Sequence, residues 1–134
     1  MVMANAYEKY KTQEVATASP VGLIVMLYNG CIKRLKLARI AIENKDYEDA
    51  NKNLKKAEDI IDELMAALDL KYQIARDLLS LYVFIYEEIV RINISKDAEK
   101  IEPLLKMLSS LRDTWAKVEK ECRLPVYELS EMEQ

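Results

Sequence analysis

Apolar residues recur along this chain in alternating steps of three and four. One row runs through Leu23, Leu27, Cys31, Leu35, Ala38 and Ile42, and a second through Ala50, Leu54, Ala57, Ile61, Leu64 and Leu68. A third takes in Ile74, Leu78, Leu81, Ile85 and Ile92, and a fourth Leu104, Leu108, Leu111, Trp115, Val118 and Cys122. This is the spacing of one face of an α-helix. Ser19-Pro20 opens the first helix, because serine caps free backbone N–H groups and proline at the first helical position gives up only an unpartnered one. "NKD" at 44–46 ends that helix near Glu43 and offers Asp46 as the next cap. The second helix is expected from Tyr47 to Leu68 and the third from Tyr72 to Ile94. The fourth is expected from Ala98 to Arg123, with Ser95 or Asp97 as its cap, the segment around Ala98–Glu102 as a loose turn and Pro103 in the first turn of its main body. Four such helices on short connections predict an all-α antiparallel four-helix bundle over 19–123. A polar arm, mobile or short-helical, precedes it over 1–18, and an acidic tail follows over 124–134.

The rows are not equally wide. The second helix is charged on its other sides, through Glu48, Asp49, Lys52, Lys55, Lys56, Glu58, Asp59, Asp62 and Glu63. The first helix adds Ile24, Tyr28 and Ile32 beside its core row, and the third adds Leu79, Tyr82, Val83 and Tyr86. Two readings stay open. Both helices are central and bury a wide stripe, or the surplus lines a groove that receives amphipathic helices of another chain. Eight tyrosines against one phenylalanine favour surfaces that alternate between wet and dry.

Composition supports helices and removes most chemistry. Only two glycines and three prolines occur in 134 residues, which argues against a turn-rich β fold. There is no histidine. This excludes Ser-His and Cys-His nucleophile pairs, the Glu-x-x-His ligands of di-iron bundles, histidine-ligated haem and histidine phosphotransfer. No metal, cofactor or enzymatic activity is expected. The net charge of −3 gives nucleic acid no electrostatic footprint. The apolar run Val21 to Tyr28 is too short to span a bilayer, and the first residues lack a signal peptide's apolar core. A cytoplasmic protein is therefore expected, with Cys31 and Cys122 as buried free thiols. Lys33, Arg34, Lys36 and Arg39 form a basic patch late in the first helix, read as a solvated face or a docking point for acidic partners. Arg112 and Trp115 are spaced to stack, with Trp115 otherwise a core residue.

The chain resembles the FliS-type flagellar export chaperones. The resemblance rests on "NAYEKYK" at 5–11, "ASPVGLIVMLYNGCI" at 18–32, the stretch from "AIEN" to "IIDELMAALD", "LLSLYVFIYEEIV" at 78–90 and "LSSLRDTW" at 108–115, in that order. It implies a cytoplasmic four-helix bundle that binds the disordered C-terminal segment of flagellin, blocks premature polymerisation and aids export without chemistry. It also implies a groove with Tyr28 and Tyr82 as walls, while helical spacing adds Ile24, Ile32, Leu79, Val83 and Tyr86. Tyr7 and Tyr10 match an N-terminal arm that acts as a plug in the groove. Export-apparatus or other flagellar regulatory proteins are further expected partners, and the resting state is a monomer or a weak homodimer. A regulatory adaptor bundle that dimerises or binds partner helices through the same groove is the other reading.

Overall fold

Proline opens the first helix as its position requires: α1 runs Pro20–Glu43, α2 Tyr47–Ala66, α3 Gln73–Ser95 and α4 Ile101–Cys122. A 3-10 turn, Ala98–Lys100, leads directly into α4 and leaves Pro103 within its first turn. The structure, a computed structural model, describes residues 20–122. The proposed Ser19 cap, the arm with Tyr7 and Tyr10, and the acidic tail lie outside the described residues. Among those described, no helix is long and apolar enough to cross a membrane.

The four inward rows hold a 3-4 alternation with few breaks. In α1 it is Ile24, Tyr28, Cys31, Leu35, Ala38 and Ile42, and in α3 Ala75, Leu78, Tyr82, Ile85, Ile89 and Ile92. A 3.5-residue period keeps a row facing its neighbours only if the helices cross at a shallow angle, the geometry of antiparallel bundles. α1 is the hub. It packs extensively on α2 on one side and on α4 on the other, α2 packs on α3, and α3 and α4 meet only slightly. Small residues explain the closest pair: Ala38, Ala41, Ala50 and Ala57 are buried between α1 and α2, and Gly30 leaves space for Ile60.

Three expectations are corrected. Ile74 is 67% exposed, and Ala75 takes the inward position at the start of α3. A small alanine gives a weaker hydrophobic signal than the isoleucine beside it, so the pattern alone sets the start of this row one residue out of phase. Ile101, expected in a loose turn, is fully buried as the first residue of α4. Glu58 is buried instead of solvated: it sits in the α2–α3 seam near Tyr86, with Lys55 Nζ 3.6 Å from Oε2 and no hydrogen-bond partner for Oε1. Asn53, also buried, is satisfied, donating to the Asp49 carbonyl at 3.0 Å and accepting from Arg34 at 3.2 Å.

Asp46 caps α2 as expected, accepting from the Asp49 N–H at 3.2 Å. Asp97 caps the 3-10 turn, accepting from the Glu99 N–H, and the Ser95 hydroxyl accepts from the Asp97 N–H. α1 ends in a Schellman motif, with Lys45 N–H to Ile42 C=O at 2.9 Å and Asp46 N–H to Ala41 C=O at 2.8 Å. That motif places Lys45 at φ 60°, and Lys96 takes φ 55° at the end of α3. A lysine suffers a steric penalty in this left-handed region that glycine does not. Lys45→Gly should therefore raise unfolding stability by ~0.5–1 kcal/mol in urea melts. The gain at Lys96 should be smaller, because its ammonium donates to the Asn93 carbonyl and side chain, and glycine cannot replace those hydrogen bonds.

Candidate functional site

Two phenols meet across the bundle. Tyr28 of α1 and Tyr82 of α3 are both buried, with their hydroxyl oxygens 2.5 Å apart and ring centroids 6.3 Å apart at a 57° tilt. Either hydroxyl can serve as the donor. Trp115 of α4 packs, partly buried, against the same core. The pair satisfies two hydroxyls that would otherwise be costly to bury. Burial, and after it the hydrogen bond to Tyr82, holds the Tyr28 phenol far above the usual tyrosine range, and burial raises Tyr82 too. Neither can give up a proton near neutrality. The pair is a tie between α1 and α3, with no acid or base to offer.

Burial changes along the bundle on either side of this tie. At the end where α4 begins, Ile42, Leu54, Ile89, Ile92, Ile101, Leu104 and Leu108 are all buried. Toward the other end, where α1 and α3 begin and α2 and α4 finish, the apolar side chains become only partly buried. They include Ile24 and Leu27 of α1, Met65 of α2 and Leu68 just beyond its end, Leu78 and Leu81 of α3, and Leu111 and Trp115 of α4. By helical phase, Leu78 and Leu81 of α3 lie toward α4, across the seam where the two helices scarcely touch. This half-open end is the candidate binding surface.

The structure does not bring the sequence-nominated groove residues together. Tyr28, Tyr82 and Ile32 are sealed in the core and are not walls. The amphipathic character of the two tyrosines serves the internal hydrogen bond, and Ile32 serves α1's packing. Ile24 lies at the half-open end. Leu79, Val83 and Tyr86 form a separate row on the flank of α3 beside α2, where Val83 is 41% exposed and Tyr86 is raised in pKa by Asp62 and then Glu58. Sequence reasoning missed the Tyr28–Tyr82 hydrogen bond, for which the clue was that a buried phenol must find a partner; Trp115 is a partly buried core residue. Arg112 does not join it in the expected stack and instead bonds Asn29 and Asp113.

The features define an all-α four-helix bundle with a buried tyrosine pair and an incompletely buried apolar end, and sequence comparison gives its family. The family profile described as flagellar protein FliS matches residues 3–122. The flagellar secretion chaperone FliS of Bacillus subtilis (strain 168) is 37% identical over 115 residues, 86% of each chain. That of Salmonella typhimurium is 35% identical over 118 residues, 85% of this chain and 87% of the relative. A solved bacterial flagellar chaperone superposes with a TM-score of 0.73 over 88% of this chain and 98% of its own, at 20% identity, which bears on the fold. The chain belongs to the FliS family, and it is a chaperone, not an enzyme.

Tyr28→Phe or Tyr82→Phe should each cost about 1–3 kcal/mol in urea melts, because each leaves one buried hydroxyl short of a partner. The double variant should cost less than the two single changes together, which a double-mutant cycle reads directly. Cys31 gives a pH signature. Burial pushes its thiol from 9.0 up to about 12. Between those values the native chain keeps a proton that the unfolded chain releases, so its contribution is intact below about 9 and is lost as pH rises toward 12. In a Cys122→Ser background, a thiol reagent at pH 8 should label Cys31 at the rate of global unfolding.

Proposed function

We propose that this chain is a cytoplasmic flagellin export chaperone that binds the disordered C-terminal segment of flagellin, delays its polymerisation and keeps it fit for secretion. The observation that carries this is the half-open apolar end of the bundle in a FliS-family chain. Relatives from two organisms bear the name flagellar secretion chaperone along nearly their whole length. Partly buried leucines on α1, α3 and α4 offer apolar area to an amphipathic segment without unfolding the sealed end. A client that orders on binding gives up about 2–5 kcal/mol or more of interaction energy, which suits a complex that must later release. Tyr7 and Tyr10 of the arm act as a plug over this surface in the absence of client, and export-apparatus proteins are the second class of partner.

Mixing the full chain with a synthetic flagellin C-terminal segment should give a one-to-one complex by calorimetry and sizing, with a gain of helicity by circular dichroism. Leu78→Asp should weaken that complex by tenfold or more, about 1.4 kcal/mol. Ile94→Asp, at a position 80% exposed near the end of α3, should leave it unchanged. Absence of heat and of a sizing shift with the wild-type chain would overturn the assignment of client.

A further inference from the structure

The seam between α1 and α4 carries a charge opposite to that of the molecule. Two neighbouring hollows, of about 370 and 540 Å³, lie along it and share Lys36. Around them stand five cations, Lys33, Lys36 and Arg39 of α1 and Lys106 and Arg112 of α4, against two carboxylates, Glu102 and Asp113. Both carboxylates are already engaged, Glu102 with Arg39 at 2.6 Å and Asp113 with Arg112 at 3.2 Å. The ion pairs among the described residues leave Lys33, Lys36 and Lys106 without a carboxylate. The excess is local, because the chain as a whole is at −3. Apolar side chains interleave with the lysines on the outer face of α1, where Leu37 is 36% and Ile40 52% exposed.

We propose that the α1–α4 seam is a second docking surface, distinct from the half-open end, for an acidic amphipathic helix of a partner protein. Carboxylates on one face of such a helix meet Lys33, Lys36 and Lys106, and its apolar side chains cover Leu37 and Ile40. Three features select this occupant. Unpaired lysines at one site of a negatively charged chain complement an acid and steer it toward them. Exposed aliphatic side chains one helical turn apart suit a helix better than an extended polyanion. The cations line recesses between two helices, which a peptide can enter and a flat bilayer cannot, and the negative remainder of the molecule is repelled by anionic lipid. The proposal does not depend on the client: a chain that failed to bind flagellin would still carry the seam.

The test uses the full chain and a labelled 18-residue helical peptide that places glutamates on one face and leucines beside them. Fluorescence anisotropy at low salt should show saturable binding that weakens as salt is raised. The triple change Lys33→Glu, Lys36→Glu, Lys106→Glu should weaken it at least tenfold, with the melting temperature and the affinity for the flagellin segment unchanged. These lysines line exposed hollows, so the fold has no need of them. Equal binding by the triple variant would overturn the proposal. So would equal binding of a scrambled peptide of the same composition, which would reduce the seam to diffuse attraction. Phosphatidylserine vesicles that bind the wild-type chain where the peptide does not would assign the seam to membranes instead. If the peptide binds only after Glu128→Gln, Glu131→Gln and Glu133→Gln, the occupant is the chain's own tail and the partner reading falls.

Discussion

A phenol can be buried only if its hydroxyl finds a partner, and this constraint organises the bundle. Tyr28 and Tyr82 answer it for each other across the interior. The two residues belong to α1 and α3. The seam between α3 and α4 is the loosest of the four. A directional bond between α1 and α3 fixes their relative height, which greasy packing alone would leave freer to slide. Apolar packing supplies most of the stability, and the tyrosine pair supplies register.

That arrangement separates two demands on a chaperone. One end of the bundle is sealed by aliphatic side chains and keeps the fold. The other end keeps apolar area within reach of a visitor, with leucines from α1, α3 and α4 only half covered. Exposed apolar area invites aggregation as well as clients. A partly closed surface above a hydrogen-bonded floor limits that risk, and the cost to the sealed end is small because the tyrosine pair stands between the two regions.

Helix content, the four helix positions and the Pro103 turn were legible in the sequence because they depend on local spacing and on capping chemistry. The family was legible for a different reason: several motifs fall in order across most of the chain. The groove was not. Along the sequence Tyr28 and Tyr82 stand beside the core rows as surplus, yet in the fold they form the interior bond. A helical wheel gives the direction of a side chain and says nothing of what stands opposite. Glu58 shows the same limit, since its burial depends on how closely α3 lies over α2. Ala75 displaces Ile74 from the core because phase is settled by the whole row and its neighbours, and one strong hydrophobe cannot set it.

The sequence by itself therefore determined the class of fold, the helix boundaries to within three residues, the exclusion of histidine chemistry and the family. These follow from properties that each residue or short window carries alone. Only the tertiary structure decided which tyrosines are structural, which end of the bundle is open and where unpaired lysines gather. Those depend on the pairing of helices far apart in the chain, and the closeness of α1 to α2 and α4, against the gap between α3 and α4, is a property of the assembled packing that no single helix contains.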